Sequence, residues 1–210
     1  MIGVFGGTFD PVHYGHLRPA LEVKRALGMV QVRFIPCHIP PHRVAPGATP
    51  EQRLTMLRLA LAQVPGFVVD ERELVRAGPS YMVETLASLR QELGAEPLAL
   101  VLGQDAFAKL HRWHQWPRLL ELAHIVVARR PGGALPSTGP LADLLARHLA
   151  AQSAQLHVAP SGKIWFQDVT QLDISATAIR ACVKDEGGCR FLTPEPVRKY
   201  IEAHGLYLNE

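Results

Sequence analysis

Short, fully apolar runs alternate along the chain with longer stretches in which apolar residues recur every three or four positions. The first kind predicts buried strands, the second amphipathic helices. "IGVFGG" (2–7) reads as a strand ending in a glycine turn. A helix over "HLRPALEVKRAL" (16–27) follows, beginning near Gly15. Its apolar side carries Leu17, Leu21, Val23 or Lys24, and Leu27, and Gly28 stops it. Pro19 fits such a helix only in the first turn. "VQVRFIP" (30–36) is a second strand, and the loop "CHIPPHRVAPGA" (37–48) leaves it. "TPEQRLTMLRLALAQV" (49–64) predicts a helix capped by Thr49, with Pro50 first and Gln52 closing a capping box. Leu54, Leu57, Leu61 and Val64 form its stripe.

"FVVDERELV" (67–75) reads as one extended segment or two, and "SYMVETLASLRQEL" (80–93) as a helix capped by Ser80. "LALVLG" (98–103) is apolar on both faces, as a central parallel strand is. "AHIVVARRPG" (123–132) is a further strand and turn, "LADLLARHLAAQ" (141–152) a helix, and "IWFQDV" (164–169) a strand. "SATAIRACVKDEG" (175–187) and "PEPVRKYIEAHG" (194–205) close the chain as helices. Such alternation predicts an α/β fold with a parallel sheet, whose ligands lie beyond the C-terminal strand ends. "GGTFD", "GQD" and "ISATAIR" each follow a strand and are expected at one crevice.

Composition narrows the class. With 210 residues, 48% hydrophobic and 20% charged, one well-buried domain spanning 1–210 is expected. The net charge of +3, with no dense Lys/Arg run, points away from a nucleic-acid partner. Three cysteines, Cys37, Cys182 and Cys189, show no C-x-x-C spacing, as in a reduced intracellular protein. No basic-then-apolar leader and no apolar run of the ~20 residues that span a bilayer is seen, so a cytoplasmic protein away from membranes is expected.

The chemistry concentrates in "GGTFDPVHYGH" (6–16). Gly6 and Gly7 permit a sharp turn and close approach to a ligand, and Asp10-Pro11 is a turn pair. His13 and His16 fall at a helix start, where free N–H groups and the dipole attract anions and the imidazoles can become cationic beside phosphate. A tight turn carrying two solvent-exposed histidines fits the same spacing. Zinc would need further ligands, and His38 and His42 have no cysteine pair to join them. Neither a G-x-G-x-x-G fingerprint nor a Walker A loop is present.

His13-Tyr14-Gly15-His16 resembles the H-x-G-H signature of a nucleotidyltransferase superfamily, and "ISATAIR" (174–180) resembles its C-terminal I-S-[SAT]-T-x-I-R motif. Within it, "PPHR" (40–43), "PSYMVETL" (79–86), "GQDAFAKLHRWHQW" (103–116) and "ARRPG" (128–132) resemble the bacterial nicotinate-nucleotide adenylyltransferase family over essentially the whole chain. Met82 departs from it, since relatives commonly carry Thr there.

The resemblance implies a Rossmann-like, doubly wound single domain, with residues from about 174 to 210 completing the ATP site. It implies transfer of the adenylyl group of ATP to nicotinate mononucleotide, giving deamido-NAD and pyrophosphate. Nicotinamide mononucleotide or pantetheine phosphate are alternative acceptors, and a non-catalytic nucleotide-binding module is a remote one. His16, assisted by His13, and Arg180 are the implied catalytic groups. Gly7, Thr8, Phe9, Gly103, Asp105, Ile174, Ser175 and Thr177 join them around ATP, with Asp105 at the ribose. A plain helix cap is the alternative for Ser175 and Asp105. Thr8, His42, Tyr81, Met82, Trp113 and His114 are the implied mononucleotide contacts, with Trp113 stacked on the ring. Trp116, three residues on, reads as core packing. Mg²⁺ is implied as the companion of ATP, held by phosphates and water.

Overall fold

In a computed structural model the protein is described over residues 1–40, 46–133, 135–185 and 188–208. Six strands form one sheet in the order β3-β2-β1-β4-β5-β6. They are β1 (Ile2–Gly7), β2 (Gln31–Pro36), β3 (Phe67–Val69), β4 (Leu98–Gly103), β5 (His124–Arg129) and β6 (Ile164–Asp168). The pairings β1–β4, β4–β5 and β5–β6 are parallel. The helices are α1 (Tyr14–Ala26), α2 (Pro50–Leu61), α3 (Met82–Leu93), α4 (Gln104–Ala108), α5 (Leu119–Leu122), α6 (Pro140–His148), α7 (Ala176–Cys182) and α8 (Glu195–Ala203). This is the α/β architecture with a parallel sheet that the alternating pattern predicts. Among the described residues no helix is long and apolar enough to cross a membrane.

The residues cluster into two compact units. One holds Met1–Phe5, Ala20–Arg33 and Tyr81–Thr170. Its centre is β4, where Leu98 to Leu102 are all buried, packed with Ile125, Val126 and Val127 of β5. Leu86 and Leu89 of α3 add to this core, and α3 lies against α5. The other unit holds Gly6–Pro19, Phe34–Ser80 and Gln171–Glu210. Phe9, Phe34, Met56, Leu57, Ile179, Val197 and Ile201 make its core, and α2 packs on α8.

Local signals fixed α2 well. Thr49 accepts from the Gln52 N–H, and the Gln52 side chain accepts from the Thr49 N–H, completing the capping box. The buried stripe, however, is Arg53, Met56, Leu57, Ala60 and Leu61, with Leu54 only half-buried. Leu57 and Leu61 are buried as expected, but Leu54 and Val64 are only half-buried, and an arginine occupies the first buried position. Helix α1 starts at Tyr14, close to the expected start near Gly15, and Pro19 lies inside it rather than in the first turn. The start is held there by the Tyr14 N–H, which donates to the Leu192 carbonyl, and by the His13 carbonyl, which accepts from His16 and Leu17.

Ser80 does not cap α3. Tyr81 is the N-cap residue, and the Ser80 hydroxyl accepts from the His38 N–H at 2.9 Å. A tertiary donor has taken the oxygen that the local pattern reserved for the helix. After Val69 the expected extended segment breaks, because Asp70 folds its carboxylate onto the Arg72 N–H and guanidinium.

Candidate functional site

The loop after β1 carries the first cluster, all within the second unit. Phe9 adopts a left-handed backbone (φ 52°) and its buried ring folds back over Gly7. A Cβ on Gly7 would stand 3.0 Å from that ring, so the glycine is required for close approach. The edge of Phe9 meets His16 with centroids 5.3 Å apart. His13 and His16 lie ring on ring at 3.7 Å. The His13 N–H donates to Nδ1 of His16 at 3.3 Å, which assigns the proton of a neutral His16 to Nε2.

His13 differs from its expected state. It is 5% exposed, and burial lowers its pKa to about 4. Its Nδ1 has no hydrogen-bond partner among the described residues. The turn is therefore not one with two solvent-exposed histidines, and desolvation disfavours the charged form of His13. Among the described residues no group of three or more His, Cys, Asp or Glu gathers to hold a metal.

Gly15 binds the two motifs together. A Cβ there would lie 2.9 Å from His13 Nδ1 and 2.9 Å from the Ile174 carbonyl oxygen. Gly15 of the first motif thus faces the start of the second at close range. Ser175 is the N-cap residue of α7, and its hydroxyl accepts from the Ala178 N–H at 3.1 Å. Thr177 is exposed beside it, and Ile174 is half-buried. Arg180 donates to the Asp10 carbonyl at 2.9 Å and stands 3.8 Å from the Asp10 carboxylate.

Asp10 is a residue that sequence reasoning missed. Its buried carboxylate accepts from Gly47 N–H at 2.8 Å, Ala48 N–H at 3.1 Å and Tyr207 O–H at 2.8 Å. It ties the loop to the entrance of α2, to the C-terminal region and to Arg180. Aspartate before proline is so common in turns that it carried no signal. Thr193 adds a further tie through its hydroxyl, which donates to the Val12 carbonyl at 2.7 Å.

Arg53 was missed as well. It is fully buried and donates to the carbonyls of Thr8 and Cys37, both at 2.8 Å, and of His38 at 3.2 Å. Its signal was present in the sequence, since it lies three and four residues before Met56 and Leu57 and so in phase with the buried stripe.

Gly103, Asp105, Tyr81, Met82, Trp113 and His114 lie in the first unit. Gly103 is the exposed N-cap residue of α4, and Asp105 is exposed in the first turn, so Asp105 is not the cap. Trp113 is half-buried in extended backbone, and Gln115 is left-handed (φ 49°). Helical spacing therefore does not hold from 113 to 116, and Trp116 is half-buried rather than in the core. The rings of Tyr81 and His114 meet at a tilt of 34°, with centroids 4.4 Å apart. Met82 is the first residue of α3, where the backbone N–H groups have no intrahelical acceptor. His42 lies outside the described residues.

The glycine–histidine loop at the end of β1 is thus locked to a Ser-capped helix that carries an arginine. The sequence model of the cytidylyltransferase-like family matches residues 4–182. A relative from Aeromonas hydrophila, a probable nicotinate-nucleotide adenylyltransferase, is 49% identical over 98% of this chain and 96% of its own. One from Halorhodospira halophila with the same description is 51% identical over 98% of this chain and 94% of its own. The chain belongs to the cytidylyltransferase-like family and, within it, to the nicotinate-nucleotide adenylyltransferases. Among solved structures, a Plasmodium falciparum nicotinic acid mononucleotide adenylyltransferase complexed with NaAD shares the fold at TM-score 0.72. Its identity is 13%, with 98% of this chain and 96% of that one covered.

Proposed function

We propose that the chain is an adenylyltransferase that joins ATP and nicotinate mononucleotide to give deamido-NAD and pyrophosphate. The near-complete coverage of relatives about half identical carries this reading. The whole chain, 1–210, serves as one catalytic domain, with residues from about 174 onward completing the triphosphate side. A cytoplasmic setting suits its free cysteines and small phosphorylated substrates.

The 5′-phosphate of the mononucleotide attacks the α-phosphorus of ATP in line. A bond forms from that phosphate oxygen to the α-phosphorus as the bond from the α-phosphorus to the bridging oxygen breaks, and pyrophosphate leaves. A phosphate monoester has its second pKa around 6, so the nucleophile is already an anion and needs no base. Catalysis rests on position and electrostatics.

His16 donates from Nε2 to the α-phosphate as charge builds. The His13 N–H that occupies Nδ1 favours that tautomer. His13, neutral and buried, assists as a wall against which His16 stacks. Arg180 faces the leaving pyrophosphate, aimed by Asp10. Gly7, Thr8, Phe9, Ile174, Ser175 and Thr177 line the triphosphate. Gly103 and Asp105 receive the adenosine ribose. Trp113 stacks on the pyridine ring, Thr8 lies toward the acceptor phosphate, and backbone N–H groups at Met82 and His114, beside Tyr81, hold the nicotinate carboxylate. Met82 serves through its main chain, so the departure from Thr costs nothing. Mg²⁺ enters with ATP as part of the substrate, screening its phosphates, which suits a site built without a carboxylate cage.

Pyrophosphate release with Mg·ATP and each of nicotinate mononucleotide, nicotinamide mononucleotide and pantetheine phosphate tests the reading. Marked preference for the first is expected. Release with none of the three overturns it.

A further inference from the structure

Arg53 occupies a position that a leucine or methionine would fill at no electrostatic cost. It is the first member of the buried stripe of α2 and has no exposed surface. A buried guanidinium is costly unless its hydrogen bonds are met. Here the two terminal nitrogens donate to three backbone carbonyls, of Thr8, Cys37 and His38, and to no carboxylate among the described residues. Its Nε is buried without a partner. A buried donor left in this way calls for an explanation.

The three carbonyls share an origin. The Cys37 N–H donates to the Gly7 carbonyl at 3.0 Å, at the last residue of β1 and just past β2. Beyond it the Thr8, Cys37 and His38 carbonyls turn to the guanidinium instead. A peptide unit is planar and trans, so fixing a carbonyl fixes the following N–H in the opposite direction. With the Thr8 carbonyl drawn onto Arg53, the Phe9 N–H is aimed away from α2. Phe9 is the left-handed residue of the loop, a conformation that tertiary contacts must hold. The Cys37 carbonyl likewise sets the His38 N–H, which donates to Ser80.

We propose that Arg53 is a positioning residue for adenylyl transfer. It touches no substrate and acts by clamping the Thr8–Phe9 peptide and the Cys37–His38 segment in one geometry. This rests on the reading that the β1 loop handles phosphate. A lysine keeps the charge but has no planar fork to span three acceptors.

The test compares wild type, Arg53→Lys and Arg53→Met. Folding is followed by near-UV circular dichroism and thermal unfolding, turnover by pyrophosphate release at varied Mg·ATP and nicotinate mononucleotide. We expect Arg53→Lys to fold and to lose roughly tenfold or more in kcat, with KM for the mononucleotide within about twofold of wild type. Arg53→Met should lose more. A role in folding alone would lower thermal stability and leave kcat per folded molecule unchanged, and that result overturns the proposal. If Arg53→Met does not fold, Arg53→Lys decides by the same criterion. Wild-type protein inactive on nicotinate mononucleotide overturns the activity reading, not the clamp. Calorimetric Mg·ATP binding then decides, with roughly tenfold weaker binding by folded Arg53→Lys expected and equal affinity overturning it.

Discussion

Gly15 and Ile174 are in contact across the two motifs: a Cβ on Gly15 would stand 2.9 Å from the Ile174 carbonyl oxygen, and as close to the ring of His13. The glycine is thus a spacer set by a neighbour far along the chain. Gly15→Ala forces either the ring or the start of α7 to shift. A loss of roughly 1–3 kcal/mol in stability is expected. Turnover of the folded protein should fall by more than that loss accounts for, which urea titration and pyrophosphate release measured together will check.

His16 and His13 should separate by variant. His16→Ala removes the donor to the α-phosphate and is expected to lower kcat by roughly 10²–10³-fold, with Mg·ATP still bound. Single-turnover rates and ATP calorimetry test this. A near-normal rate would show that another group stabilises the transition state.

His13 gives stability a pH dependence. Its folded pKa of about 4 lies below the ordinary 6.5, so the unfolded chain binds more protons between those values. The contribution is fully present above 6.5 and is lost as pH falls toward 4. About 2 kcal/mol should disappear between pH 7 and pH 5. His124, also buried and lowered by desolvation, adds to the slope in the same direction. Urea unfolding of His13→Gln should show a shallower pH dependence over this range, with the residual slope from His124. An unchanged slope would mean His13 is not the group responsible.

Tyr207 reaches Asp10 with its hydroxyl at 2.8 Å, and Asp10 holds Arg180 through its carbonyl. Tyr207→Phe keeps the packing and leaves one lone pair of a buried carboxylate unmet. A cost of roughly 1.5–3 kcal/mol is expected. A double-mutant cycle with Arg180→Lys, read in kcat, should be non-additive; strict additivity would show that Tyr207 does not act through the clamp on Arg180.

Trp113→Ala should chiefly raise KM for nicotinate mononucleotide, by roughly tenfold, with KM for ATP little changed. Initial-rate kinetics over both substrates check it. Unchanged mononucleotide affinity would place the ring elsewhere.

The sequence by itself determined what depends on neighbours a turn or a strand apart. The alternation of β4-type apolar runs with amphipathic stretches is set by local periodicity, and the capping box of Thr49 and Gln52 by a three-residue spacing. The two motifs were legible because fixed residue types at fixed spacing survive without knowledge of the fold. Tertiary structure alone decided the rest. Ser80 was given to His38 rather than to its own helix. Asp10 was joined to Tyr207, 197 residues away, and Arg53 to Thr8, 45 residues away. His13 became neutral because the fold buried it. Burial and the supply of donors to stranded carbonyls are properties of three-dimensional neighbourhoods. A residue's type names the chemistry it can do, and the packing around it decides which charge it carries and where it points.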